Sequence, residues 1–225
     1  MLKKRIVFAL LYANGFFYLS RNFRLQKIGN LDWLLNSYKF HLITEVIDEL
    51  FVLRVGNEDT VDKQFESTIL AIKKDFHAPL AIGGDIKSIE VADAFFGIGA
   101  DKVTLNEAFY TQKNLVRKIV NKYGSQAVVA SVDFKSMTFP NSVSPLNITY
   151  YDGINHSGTN LRNHIQEVQG LGCGEILLRS INADGTSVGL EISHLSDIKT
   201  LVNVPLIFAG GCGKAEHIKA GLDSK

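Results

Sequence analysis

Glu175-Ile-Leu-Leu-Arg-Ser-Ile-Asn-Ala-Asp184-Gly185-Thr186-Ser-Val-Gly189 decides the fold, because its apolar run stops abruptly in polar residues and glycine. A run of this length and ending is a buried strand that delivers a loop to one edge of a sheet. On that loop Asp184 supplies a carboxylate, while Gly185 and Thr186 supply a backbone N–H and a hydroxyl suited to an anion. The same residues also spell an Asx-turn followed by glycine, and the stretch by itself does not separate the two readings.

The same grammar recurs along the chain. Ile6 to Tyr12 is an apolar run closed by Ala13-Asn14-Gly15, and a polar stretch follows to Asn30. Leu31 to Phe40 reads as helix. Asp48 to Arg54 is a second strand, Thr60 to Asp75 a helix with Phe65, Ile69 and Ile72 on one face, and Pro79 to Asp85 a third strand. Ile89 to Gly97 is helix, Ala100 to Asn106 strand, Glu107 to Tyr123 helix, and Ala127 to Phe134 a fifth strand ending at the acid Asp133. From Lys135 to Gly158 the rhythm breaks into a long insertion with a small hairpin around Ile148 to Tyr151. Leu161 to Leu171 is helix, the opening stretch is strand six, Ile192 to Leu201 is helix, Pro205 to Gly211 is strand seven, and Ala215 to Leu222 begins another helix.

Strict strand-helix alternation predicts a parallel sheet covered by helices. An internal echo narrows this further. Asp48-Glu49-Leu-Phe-Val-Leu-Arg54 precedes Gly83-Gly84 by nearly the interval at which Gly174-Glu175-Ile-Leu-Leu-Arg179-Ser precedes Gly210-Gly211. The duplication predicts an α/β fold of the (β/α)8 TIM-barrel type built from two half-barrels, and a glycine-rich dinucleotide turn after strand one is absent. Strand 8 and helix 8 of such a barrel are missing from this sequence. One domain over residues 1–225, C-terminally incomplete, is expected at this length.

Composition excludes several function classes. Lys plus Arg number 24 against 23 Asp plus Glu, so the net charge of +1 gives no electrostatic footprint for nucleic acid or an anionic membrane. No apolar stretch approaches the ~20 residues of a membrane span. Two cysteines, Cys173 and Cys212, form no disulfide framework, which fits a reducing cytoplasm.

Taken together, Arg5-Ile, Asp48-Glu49-Leu, Gly83-Gly84, Gly99-Ala-Asp101-Lys102-Val, Gly124-Ser-Gln-Ala-Val-Val, Gly174-Glu175-Ile-Leu-Leu, Asp184-Gly185-Thr186 and Gly210-Gly211-Cys-Gly213-Lys resemble the cyclase subunit of imidazole glycerol phosphate synthase, along the whole chain. The resemblance implies a barrel that docks a glutaminase at its bottom face, takes ammonia through its centre and uses it at the top face. It brings in no metal and no other cofactor. In the histidine pathway the ammonia attacks a bisphosphorylated ribulosyl substrate, with carboxylates at the ends of strands one and five as general acid and base.

Carried over residue by residue, the resemblance fails unevenly. The strand-five acid is Asp133, the candidate catalytic residue, but the strand-one position is Leu11, which transfers no proton. Gly84 and Asn106 remain at the first phosphate site, yet Asp85 and Glu107 stand where the family has glycine and threonine, and carboxylates there repel a phosphate. Arg54 replaces an aspartate after strand two and is placed to offset one of these acids. The second phosphate site keeps Asp184, Gly185, Thr186, Gly210 and Gly211. At the strand entrances Arg5, Glu49, Lys102 and Glu175 match the family's ammonia gate, and Asp101 matches a residue on the glutaminase-facing end. The other reading of those four charges is a structural salt-bridge ring.

A retained gate under an altered top face, with the text around Lys27-Ile28-Gly29-Asn30, resembles the divergent branch of the family associated with sugar amidation for surface polysaccharide. The expected partners are then a glutaminase, a phosphorylated or nucleotide-linked sugar acceptor and a separate amidotransferase. The alternatives are an authentic cyclase subunit of histidine biosynthesis and a non-catalytic scaffold that docks the glutaminase.

Overall fold

The computed structural model describes residues 4–56, 63–136, 146–150, 155–192 and 198–224. They fall into two compact units, residues 1–19 with 25–105 and residues 20–24 with 106–225. The division after Leu105 follows the fourth barrel strand, between the two halves that echo each other in sequence.

In the first unit, β1 (Val7–Ala13) pairs in parallel with β4 (Glu49–Arg54), β4 with β5 (Leu80–Gly83), and β5 with β6 (Lys102–Leu105). All six residues of β4 and all four of β5 are buried, as expected of parallel strands covered on both faces. Helix α2 (Lys63–Asp75) turns Phe65, Ile69 and Ile72 to the core, and α3 (Ile89–Gly97) adds Phe95. The rings of Tyr12, Phe65 and Phe95 follow one another at centroid spacings of 5.1 and 5.8 Å, filling the layer between sheet and helices.

Two features here differ from the sequence reading. The stretch up to Asn30, read only as polar, forms two strands: β2 (Phe16–Arg21) pairs antiparallel with β1, and β3 (Arg24–Gly29) lies next to β2. Asn14 and Gly15 have φ of 49° and 80°, the paired positive values that make a two-residue hairpin turn match strand twist. The predicted helix from Leu31 to Phe40 is instead a π-turn over Trp33–Ser37 followed by α1 (Phe40–Thr44), broken at Lys39, whose φ is 56°.

In the second unit, β7 (Val128–Ser136) pairs in parallel with β10 (Glu175–Ser180), and β10 with β11 (Leu206–Ala209). The insertion contributes β8 (Leu146–Tyr150), antiparallel to β7, and β9 (Asn155–Asn160), antiparallel to β8, so the expected hairpin is present. Residues 137–145 and 151–154 of that insertion, with the predicted Tyr151, lie outside the described residues. The helix predicted from Glu107 to Tyr123 is two, α4 (Ala108–Thr111) and α5 (Lys113–Tyr123), parted at Gln112 by φ −135° and ψ 50°. Helix α6 (Leu161–Gly170) starts where the Asn160 side chain accepts from the Asn163 N–H, and α7 (Ala215–Asp223) follows β11. Residues 193–197 of the helix predicted over Ile192–Leu201 lie outside the described residues.

The strands of the (β/α)8-type fold are thus β1, β4, β5, β6, β7, β10 and β11.

Candidate functional site

The strand entrances gather the charges. Glu49, the first residue of β4, is fully buried; its Oε2 accepts from Arg5 Nη1 at 2.6 Å and its Oε1 lies 2.7 Å from Lys102 Nζ. One carboxylate thus holds two cations at the entrances of β1, β4 and β6, which is the arrangement that makes an interior carboxylate tolerable. Thr104, two residues beyond Lys102 on the same face of β6, is buried, and its hydroxyl has no hydrogen bond among the described residues. In the second unit Glu175, the first residue of β10, is 4% exposed.

Asp101 sits on the exposed rim beside this cluster. Its carboxylate accepts the Leu80 N–H at 2.9 Å, as Asp48 accepts the Ile6 N–H at 2.8 Å. An acid before one strand ties down the start of its neighbour in both cases, so Asp101 has a structural task in addition to any docking role.

At the other ends of the strands of the first unit, Gly84 has φ 101°, and a Cβ there would lie 2.2 Å from the Arg54 carbonyl oxygen, so only glycine fits. Asp85 follows at φ 51°, with Lys87 Nζ 3.9 Å away. The Arg54 guanidinium, expected to offset an acid, is buried against the rings of Phe65 and Phe95, 5.4 and 5.7 Å from their centroids.

The second unit assembles a tighter constellation. Asp133 on β7 has no exposed surface, and its carboxylate takes three hydrogen bonds: Arg179 Nε at 2.6 Å, Arg179 Nη2 at 2.9 Å and Asn106 Nδ2 at 2.6 Å. The register of β10 on β7, with Arg179 opposite Asp133, sets this pair side by side. Burial alone would lower the Arg179 pKa, but the charge and hydrogen bonds of Asp133, with the charge of Asp184, outweigh it and raise the pKa. Three of the roughly four lone-pair sites of this carboxylate are thus occupied, and the one left is on Oδ1. Ser131, two residues earlier on β7, is buried with its hydroxyl making no hydrogen bond among the described residues.

The loop after β10 holds the tip of the β2–β3 hairpin. Asp184 Oδ2 accepts from Ser20 Oγ at 2.6 Å and from the Phe23 N–H at 3.0 Å, and the Asp184 carbonyl accepts the Asn22 N–H at 2.9 Å. The Asn22 side chain donates to the carbonyls of Ile181 and Asn182 at 3.0 and 2.9 Å. A Cβ on Gly185 would meet the Ser20 carbonyl oxygen at 2.0 Å. Thr186 Oγ1 donates to the Ala183 carbonyl at 2.6 Å, as in a local turn. Phe23, at φ 62°, lays its ring 4.9 Å from the Arg179 guanidinium carbon. Beyond β11, Gly210 and Gly211 have φ of 105° and 86°, and the Gly211 carbonyl accepts the Gly189 N–H at 2.9 Å.

The structure thus brings Asn106 to Asp133, and Arg5 and Lys102 to Glu49. The sequence reading assigned no role to Arg179, Ser20, Asn22, Phe23, Thr104 or Ser131. Arg179 had a signal, since an arginine inside an apolar strand run needs an anion beside it. The hairpin tip had none, because its partner is some 160 residues away along the chain.

Among known proteins, a family described as "Histidine biosynthesis protein" matches residues 38–225. The chain is 35% identical over 222 residues, 99% of its length and 81% of the relative's, to "Putative imidazole glycerol phosphate synthase subunit hisF2" of Parasynechococcus marenigrum (strain WH8102). It is 34% identical over 223 residues, 99% of its length and 85% of the relative's, to "Imidazole glycerol phosphate synthase subunit HisF" of Chlorobium phaeobacteroides (strain DSM 266 / SMG 266 / 2430). A protein of the same name from Thermobifida fusca (strain YX) is 34% identical over 182 residues, 80% of this chain and 71% of that one.

Proposed function

Because this chain belongs to the histidine-biosynthesis family of (β/α)8 barrels, we propose that it is the synthase-type subunit of a glutamine-dependent pair, which takes ammonia from a glutaminase and passes it to a sugar acceptor. The names of its relatives, subunits of imidazole glycerol phosphate synthase, support the synthase-subunit role. The observation that carries the reading is Glu49, fully buried and held by both Arg5 and Lys102 at the strand entrances. A closed charge cluster of this kind excludes ions and yields to neutral ammonia after a small side-chain movement. Glu175 is the fourth member that the sequence pattern assigns, and Asp101 is assigned to glutaminase docking.

The acceptor is a phosphorylated or nucleotide-linked sugar, activated by a separate amidotransferase in the cytoplasm for surface polysaccharide. Gly84, Asn106, Asp184, Gly185, Thr186, Gly210 and Gly211 are the residues assigned to hold it, and Asp133 is the candidate for proton transfer. Leu11, Asp85 and Glu107 favour this branch over the histidine-pathway cyclase, since together they remove one acid and oppose a phosphate. Both cysteines are free, and burial pushes the Cys173 thiol up to about 12, so it stays an unreactive thiol. No helix among the described residues is long and apolar enough to cross a membrane. The relatives' names favour a second reading, an authentic cyclase subunit.

The test is the ratio of product formed to glutamine consumed, with the glutaminase present. Lys102→Met and Arg5→Ala are expected to lower that ratio while glutamine hydrolysis continues, and ammonia added to the buffer is expected to restore product. An unchanged ratio in folded variants leaves only a docking scaffold.

A further inference from the structure

We infer that Asn106, Asp133 and Arg179 form a recognition site for a neutral, hydroxyl-bearing edge of the acceptor, rather than for its phosphate. This rests on the proposal that the acceptor is a sugar, and it assigns Arg179 a role in selecting it.

The donor and acceptor inventory carries the inference. An ionised carboxylate only accepts hydrogen bonds, so the Asn106 group bonded to Asp133 Oδ2 is its NH2 end. That fixes Asn106 Oδ1 on the opposite side of the amide, where it is buried and makes no hydrogen bond among the described residues. Arg179 spends Nε and Nη2 on Asp133; Nη1 makes no hydrogen bond among the described residues, and 23% of the side chain is exposed. Flanking one ion pair, then, are one spare acceptor and, on Nη1, two spare N–H donors. The matching ligand edge presents both a donor and an acceptor, as two neighbouring sugar hydroxyls do: one O–H donates to Asn106 Oδ1, and the other oxygen accepts from Arg179 Nη1.

A phosphate dianion presents acceptors only and would leave Asn106 Oδ1 facing an oxyanion. The charges also oppose it, because Asp133 and Asp184 set two carboxylates against the single guanidinium. Phe23 adds an aromatic ring 4.9 Å from the same guanidinium carbon, which helps hold the guanidinium in place. Arg179 and Asn106 are therefore the specificity-determining residues, and Asp133 positions them both.

The experiment is a binding titration on the full chain, read by the arginine Nε–H resonance of Arg179 in 15N-labelled protein, assigned with Arg179→Lys. The probes are methyl α-glucoside as the neutral sugar and inorganic phosphate as the anion. The glucoside is expected to move the Arg179 signal, and phosphate neither to move it nor to compete. Arg179→Met is expected to weaken glucoside binding about ten- to a hundredfold, the loss of a hydrogen bond to a charged donor. If that variant fails to fold, the wild-type titration decides alone. A signal that follows phosphate, a glucoside that leaves it unmoved, or undiminished glucoside binding in folded Arg179→Met would overturn the inference. Because no glutamine or ammonia enters this assay, glucoside binding with a failed product-to-glutamine ratio sinks the ammonia reading alone. The reverse result sinks this one alone.

Discussion

Arg179 and Asp133 meet in a two-pronged pair, Nε to Oδ1 at 2.6 Å and Nη2 to Oδ2 at 2.9 Å, with the carboxylate wholly shielded from solvent. Bidentate geometry makes this one of the stronger pairings available to side chains. Arg179→Met leaves a buried carboxylate with Asn106 as its remaining donor, and the expected loss is about 3–5 kcal/mol in urea unfolding. Adding Asp133→Asn to that variant removes the uncompensated charge and should recover a large part of the loss. A penalty for Arg179→Met below about 1 kcal/mol, the range of exposed pairs, would show that water reaches the carboxylate after all.

Much of the barrel was legible because strands such as β4 and β5 are buried on both faces and read as apolar runs, as Leu50–Leu53 and Leu80–Gly83 do. Strands β2 and β3 were not: Asn14-Gly15, the turn between β1 and β2, is a strong hairpin signal, but β3 is largely exposed and polar, so the stretch reads only as polar, and the tip at Asn22-Phe23 carries no glycine. The break between α4 and α5 at Gln112 leaves no mark in the helical spacing. Glu49 with its two cations was legible as charges at strand entrances. The Asn106–Asp133–Arg179 constellation was legible only in part, since pairing across β7 and β10 depends on register, which a sequence read one strand at a time does not supply.

Asp184 accepts from both Ser20 Oγ and the Phe23 N–H, and so secures a turn whose Asn22 and Phe23 are both held at positive φ. Asp184→Ala removes the acceptor of both bonds at a cost of about 1–3 kcal/mol. The strained turn should then open more often, and limited proteolysis within residues 20–24 should accelerate relative to wild type. Equal cleavage rates would mean that the Asn22 bonds to Ile181 and Asn182 suffice to hold the tip.

His164 on α6 is fully buried, stacked on the Tyr110 ring at 4.0 Å, and its pKa is lowered to about 4. Desolvation is the main cause, opposed by Glu167, whose carboxylate lies 3.6 Å from Nδ1 and also contacts Lys113. Between pH 6.5 and 4 the unfolded chain binds a proton at this residue that the folded chain does not. Stability is therefore full above about 6.5 and falls as the pH drops toward 4, by on the order of 3 kcal/mol. His164→Gln should flatten that part of the stability curve, measured by urea unfolding from pH 7.5 to 4. An equal slope in wild type and variant would place the acid sensitivity elsewhere.

Leu11 lies on β1 with Leu53 and Tyr18 as its strand partners, where the family resemblance puts an acid. No proton is transferred from that position, and loss of one partner of an acid-base pair typically removes about 10²–10⁴ in rate. Asp85 adds a carboxylate beside Gly84, where a phosphate would have to sit. The protein mixed with its glutaminase is thus expected to leave the bisphosphorylated histidine-pathway substrate unconverted, with turnover followed by release of the aminoimidazole product. Leu11→Asp alone should not restore it, because the phosphate is still opposed by Asp85 and Glu107, whereas Leu11→Asp combined with Asp85→Gly and Glu107→Thr should improve binding of that substrate first and turnover second. Wild-type turnover near that of a functioning cyclase would instead establish the histidine-pathway reading and remove the sugar acceptor.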